Sequence, residues 1–325
     1  MAAFLFPLLS LIACSHALAA DPLALPVGQA QRAVAAAQDD ESRRYRFIDQ
    51  SAWYLCKNQG GDTGRNSIPL ETFIKQRQGD CTDFIGAVLE GLDLRGAALD
   101  GADLNYARLA KTQLRGARLK YANANYARFE AADLRAAHGE GARFVGTVLE
   151  RADMEQAVLD GAVFVSADMT GTNLKEASLE EAVFRGARMI GARLGSAKLT
   201  RAVFTGADLT GAAFANAALR GADFSRAELA GAGFQAADLR DAHFYAVVFQ
   251  KTDLSRADLR GANLSDAVFK SGSFEGADLR GAVLSGADLS GAVLTGVELE
   301  GATYDYKTKL PFGDYKAKRL KLVKK

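Results

Sequence analysis

Proline is scarce in this chain, with 5 in 325 residues, which excludes a proline-rich spacer. Glycine is common, at 32, but without the three-residue period that collagen needs. One Trp, three His and three Cys leave little material for a catalytic or metal centre. An excess of charge of one sign is missing too. Lys+Arg 40 against Asp+Glu 39 leaves a net charge of +1, so no bulk field draws the chain to nucleic acid. What is present is apolar: 49% of the residues, too many for a disordered polymer.

The apolar run Phe4 to Ala13 spans about ten residues, too short to cross a bilayer. Ala17-Leu18-Ala19 follows with the small-x-small pattern of a cleavage site. Residues 1–19 therefore read as a signal peptide, cut before Ala20, although no Lys or Arg precedes the apolar run. A second reading shares the segment: Leu11-Ile12-Ala13-Cys14 resembles a bacterial lipobox, which would lipidate Cys14 and anchor the chain in the cell envelope. Either way the expected location is periplasmic, secreted or envelope-anchored. Export leaves Cys56 and Cys81 as an even pair, expected to be a disulfide in an oxidising compartment. Closing that loop contributes about 3 kcal/mol; two free buried thiols are the alternative.

A five-residue period dominates the rest. Every fifth residue from Phe84 to Tyr304 gives 45 positions in one register, and only Ala124 and Gly139 lack a large apolar side chain. Two residues earlier the chain is nearly always Ala, and Gly is frequent between blocks, as at Gly96, Gly101, Gly206 and Gly261. Five matches neither a helix nor a flat sheet. A small inward residue and a large one two positions later suit a short extended segment, followed by a turn in which Gly tolerates positive φ. Four such segments make a coil of twenty residues. Twenty-residue columns then sort the large residues by type: Phe144, Phe164, Phe184, Phe204, Phe224 and Phe244 share one column, while Leu159 through Leu279 fill another. The column gaps at Ala124 and Gly139 predict a local void.

Blocks such as Ala207-Asp208-Leu209-Thr210-Gly211 and Ala257-Asp258-Leu259-Arg260-Gly261 resemble the pentapeptide-repeat family. The resemblance implies an all-β solenoid, a right-handed quadrilateral β-helix, here of about eleven coils at about 4.8 Å each. The ending Tyr304-Asp305-Tyr306-Lys307-Thr308-Lys309-Leu310-Pro311 resembles the segment that often closes such solenoids.

The chain thus divides into a signal peptide (1–19), an N-terminal capping segment (20–83), the repeats (84–304) and a basic C-terminal tail (305–325). Gln29 to about Lys57, and Ile68 to Gln78, have helical composition, so the cap is expected to be helical. It would cover the open first edge of the solenoid. The tail carries eight Lys/Arg against two Asp. It reads as a solvated extension or as a contact with an anionic surface. Membrane contact is expected only through that tail or a lipidated Cys14.

No constellation for catalysis or metal binding emerges, and no cofactor is expected. His138 and His243, the histidines left after cleavage, fall about five coils apart. The column Asp238, Asp258, Asp278 and Glu298 lies beside Arg220, Arg240, Arg260 and Arg280, predicting a neutralised charge ladder. Several cytoplasmic pentapeptide proteins protect DNA gyrase by resembling acidic duplex DNA. Here the repeats hold 28 acidic and 24 basic residues, and the export signal points elsewhere. The primary expectation is an exported, non-enzymatic structural or interaction scaffold for an unidentified protein or envelope partner. The topoisomerase-binding DNA mimic is the alternative. The best contact surface is an outward apolar patch on the Phe side, Val145, Val163, Val165, Val183 and Val203, suited to a homodimer or another protein.

Overall fold

The computed structural model describes residues 70–325. The expected signal peptide, Cys14, Cys56 and the first expected helix lie outside the described residues.

Helix α1 (Leu70–Gln76) has Glu71 in its first turn and Lys75 in its last, both matched to the helix dipole. Phe73 is fully buried, its ring 4.6 Å from that of Phe84. The two rings explain Gly79: a Cβ there would sit 2.9 Å from carbon atoms of both. Gly79 occupies a position that later coils give to Leu, and Phe73 of α1 fills the place.

After α1 the chain winds as a solenoid. Parallel bridges link residues twenty apart, from Gln78↔Ala98 and Asp83↔Asp103 onward. Bridge residues recur every five positions, so each turn of twenty residues contributes to four ladders. The ladders begin at Gln78, inside the segment expected to be a separate cap. The sequence pattern hides this start because Gly79 breaks the large-apolar register and Cys81 takes the turn position.

Three hydrogen bonds per block hold adjacent coils, one of them from the third residue of the turn, as Gly101 N to Lys120 O at 2.8 Å. The central residue donates to the coil that follows, as Phe164 N to Val183 O at 2.7 Å, and the residue before it donates to the coil that precedes, as Arg118 N to Ala97 O at 2.9 Å. A fourth closes each turn, as Ala102 N to Leu99 O at 3.1 Å. That turn puts its third residue at positive φ: Gly101 at 66°, but also Tyr106 at 58° and Lys111 at 59°. A non-glycine residue there costs about 1 kcal/mol; the interlocking ladder bonds on both sides impose the conformation.

The recurring Asp has a local cause. Its carboxylate accepts the backbone N–H two residues on, as Asp168 from Thr170 at 3.1 Å, Asp208 from Thr210 at 3.1 Å and Asp253 from Ser255 at 2.9 Å. That N–H points outward, where no ladder acceptor reaches it, so a short polar side chain supplies one. Where Thr replaces the small inward Ala, its hydroxyl donates to a core-side carbonyl of an earlier coil, as Thr112 to Leu89 O and Thr147 to Ala124 O, each 2.8 Å. A buried hydroxyl without such a bond would be destabilising.

Six phenylalanines, Phe144 to Phe244 at steps of twenty, stack with centroid spacings between 4.8 and 5.0 Å and planes within 5° of parallel. Phe214 and Phe234 form a second stack on the ladder two blocks away, across the core, edge-on to the first. The expected void is closed at Gly139. The place of a Gly139 Cβ lies 3.0 Å from Leu159 Cδ2, and Phe129 from an adjacent column reaches Phe144 edge to face at 6.0 Å.

The last coil is covered by the basic C-terminal tail, whose start resembles a closing segment. Strand β3 (Thr303–Tyr304) pairs in parallel with β4 (Val323–Lys324), joined through helix α2 (Asp314–Arg319), whose Ala317 is buried. Strands β1 (Val248–Phe249) and β2 (Val268–Phe269) pair likewise. One bridge departs from the common step: Asp288 meets Lys309, twenty-one residues on.

Candidate interaction surface

The outward residues form columns. In one, Asp238, Asp258, Asp278 and Glu298 bridge in succession. Arg240 clasps Asp238 with Nε–Oδ1 2.7 Å and Nη2–Oδ2 2.6 Å, and Arg260 clasps Asp258 with 2.8 and 2.6 Å. Each arginine also faces the acid of the next coil: Arg240–Asp258 3.8 Å, Arg260–Asp278 3.6 Å, Arg280–Glu298 3.1 Å. The neutralised ladder read from the sequence is therefore present, except that Arg220 pairs with Asp241 at 3.1 Å. Hydrogen bonds from Arg240 and Arg280 lower the Asp238 and Asp278 carboxyl pKa values below the usual range. Exposed pairs of this kind contribute about 0–1 kcal/mol each. The same clasp recurs at Asp133–Arg135 on another column.

His138 and His243 lie on different ladders, and nothing brings them together. Among the described residues no cluster of three or more His, Cys, Asp or Glu could hold a metal ion.

The valine patch is present as a ladder, Arg143↔Val163↔Val183↔Val203. Its centre is not exposed, however: Val163 is only 2% accessible, and Val145, Val165, Val183 and Val203 are half-buried. Val163 lies between Arg143 and Val183 in the ladder, so its neighbours cover much of what alternation alone assigns to solvent. The strip offers a shallow apolar surface carried by four valines rather than five.

Sequence reading missed a second surface, an aromatic corner. Tyr106 and Tyr126 occupy successive turn positions and stack at 5.4 Å with planes 11° apart, while remaining 61% and 54% exposed. Beside them Asn105 Oδ1 accepts Asn125 N, and Asn125 Oδ1 accepts Val145 N, both at 3.0 Å. The twenty-residue spacing of the two tyrosines was the available signal, but turn positions vary so freely that it did not stand out. Cys81 is fully buried at a turn with φ 57°.

The family model for pentapeptide repeats, in 8 copies, matches residues 82–120, 112–150, 140–175, 242–281 and 273–303, and the model of a pentapeptide repeat region matches 158–234. The chain belongs to the pentapeptide-repeat family. The solved structure of HetL, a pentapeptide repeat protein involved in heterocyst differentiation regulation from Nostoc sp. strain PCC 7120, is 33% identical. That match covers 68% of this chain and 89% of HetL, with a TM-score of 0.33. Full-length QnrB1, a plasmid-mediated fluoroquinolone resistance protein, is 20% identical over 61% of this chain and 97% of its own, with a TM-score of 0.24. A pentapeptide repeat protein from the Arabidopsis thaliana thylakoid lumen is 22% identical over 50% of this chain and 72% of its own, with a TM-score of 0.15. A search of curated proteins finds no match. In this pentapeptide-repeat chain the family's Asp and Arg positions pair with each other, and the apolar outward positions gather on the Phe side.

Proposed function

We propose that this protein is an exported, non-enzymatic scaffold whose stiff repeat rod presents flat outer faces to a protein or envelope partner. The rod is read as a right-handed, four-sided β-helix of about eleven coils, roughly 50–55 Å long, with α1 as its helical cap. The observation that carries the scaffold reading is the Asp–Arg ladder. Its charged groups satisfy one another along the rod instead of converging on a site, and the half-buried valine strip is one apolar interruption of the polar surface. That strip is the proposed protein contact, in a homodimer or with another protein. The DNA-mimic alternative is disfavoured by the same pairing, because a mimic of duplex phosphates needs unpaired acid.

Export is supported by the Phe4–Ala13 run and the Ala17-Leu18-Ala19 site. The Cys56–Cys81 bridge is supported by burial of Cys81 and by its half-cystine character. Cell fractionation with mass spectrometry of the N-terminus tests the export reading. A mature chain beginning at Ala20 in the periplasm or medium is the expected result, and a lipidated Cys14 in the membrane fraction is the anchored variant. Full-length protein confined to the cytoplasm overturns export. Thiol labelling of the unreduced mature protein tests the bridge: full labelling at both cysteines rejects it.

A further inference from the structure

The residues that cover the last coil carry a strongly one-sided charge. From Tyr306 onward there are eight Lys or Arg and one Asp. Their nearby carboxylates are all engaged: Asp288 with Lys309 at 2.8 Å, Glu300 with Lys321 at 2.8 Å, and Asp314 with Lys324 at 3.1 Å. Asp305 accepts backbone N–H groups from Gly286, Lys307 and Thr308. Five cations therefore have no carboxylate within ion-pair distance among the described residues: Lys307, Lys316, Lys318, Arg319 and Lys325.

The inner side of this segment is fixed to the solenoid. Ala317 and Leu322 are buried, Leu310, Phe312 and Leu320 pack partly against the core, and Lys325 N donates to Tyr304 O at 2.8 Å. The five cations are exposed, and aromatic rings lie among them. Tyr306 is 83% and Tyr315 79% exposed, and Lys307 Nζ sits 5.7 Å from the Tyr306 ring. A solvated tail has no reason to be held in place by a strand pair and buried apolar anchors. Free tyrosine rings beside unpaired lysines match the chemistry of a lipid headgroup region, which takes aromatic rings at its apolar boundary and lysines at its phosphates.

We propose that this basic, tyrosine-bearing surface, formed by α2, β4 and the Tyr306–Lys309 turn, docks onto an anionic phospholipid membrane. The phosphates meet Lys307, Lys316, Lys318, Arg319 and Lys325, and Tyr306 and Tyr315 enter the interface. The contact is reversible and electrostatic, with no covalent step, and it stands independently of the scaffold reading.

Flotation of the purified full chain with vesicles tests it. Binding is expected to phosphatidylcholine vesicles containing phosphatidylglycerol, to fall as salt rises, and to be absent on phosphatidylcholine alone. The double variant Lys318→Gln with Arg319→Gln removes two unpaired charges and is expected to bind on the order of 30-fold more weakly. Thermal unfolding should be unchanged, because both side chains are exposed. Tyr306→Ser with Tyr315→Ser should weaken binding while preserving its salt dependence. Binding that is salt-insensitive, or equal in the Gln variant and the parent, would assign it to the apolar N-terminal run and overturn the proposal. Capture of soluble polyphosphate without vesicle binding, or a dimer lost in the Gln variant without vesicle binding, would overturn it equally.

Discussion

The coils from Phe144 to Phe244 and those from Leu104 to Gly139 share one backbone step but stack aromatic rings on opposite sides of it. In the later coils six phenylalanines stack inside, dry and nearly parallel. In the earlier coils the same column holds Leu104 and Ala124, and the stacked pair is Tyr106–Tyr126, outside. Ring stacking thus follows from the repeat spacing, whichever side of the chain the ring is on. Burial, and the stability that goes with it, follows from the position within the five-residue block.

The largest expected break in the comparison comes from inside the later coils. Leu199→Asp puts an unpaired carboxylate at a fully buried position and should cost several kcal/mol, unfolding the adjacent coils. Its outward neighbour Thr200→Asp should stay within about 0.5 kcal/mol. Thermal melts of the pair check the register, and equal shifts would show it to be wrong. Phe184→Ala, in the middle of the inner stack, should cost about 3–5 kcal/mol in chemical denaturation. Tyr126→Ala removes an exposed ring from the outer stack and should cost under about 1 kcal/mol in the same assay. Were the two to match, stacking rather than burial would govern stability.

A subtler test lies in the early coils. Gly141 has φ 67°, and a Cβ there would fall 2.6 Å from the Tyr121 ring of the preceding coil. Gly141→Ala should therefore cost about 1–2 kcal/mol, and a second change, Tyr121→Ala, should recover the steric part but not the backbone part. A double-mutant cycle reads that coupling directly.

The smallest expected effect is one of pH. Hydrogen bonds from Lys309 and Ser290 lower the Asp288 carboxyl to about 2. A carboxyl depressed in the folded state contributes above its unfolded pKa, about 3.9, and its contribution is lost as pH falls through its folded value. Attachment of the closing segment at Lys309 should thus be intact at neutral pH and weaken between about pH 4 and 2. Hydrogen exchange at the Lys309 amide, which bonds Ala287 O, should rise over that window. An Asp288→Asn variant should remove the dependence.

The solenoid was legible because one rule repeats at 45 positions, and errors at Ala124 or Gly139 do not disturb the register. The charge ladder was legible for the same reason: side chains twenty residues apart must be neighbours. Legibility failed where a contact breaks the period. Phe73, outside the repeat, fills the place next to Gly79, so the first repeat was taken for cap. Val163 alternates outward, yet a ladder of bulky neighbours leaves it buried, which a rule of alternation does not contain. The closing segment meets Asp288 at Lys309 after an extra residue, and a one-residue shift is invisible to a search in steps of five.

The constant twenty-residue step also makes the solenoid a protractor. Removing one whole coil, for example residues 198–217, shortens the stack by one strand spacing and brings the columns on either side back into line. Removing a single block of five instead turns everything after it by a quarter of a revolution relative to everything before it. The aromatic corner, near the start, and the basic closing surface, at the other end, can therefore be set at four relative bearings by deletions that leave both surfaces unchanged in themselves. A partner that grips both at once would tolerate the first deletion far better than the second.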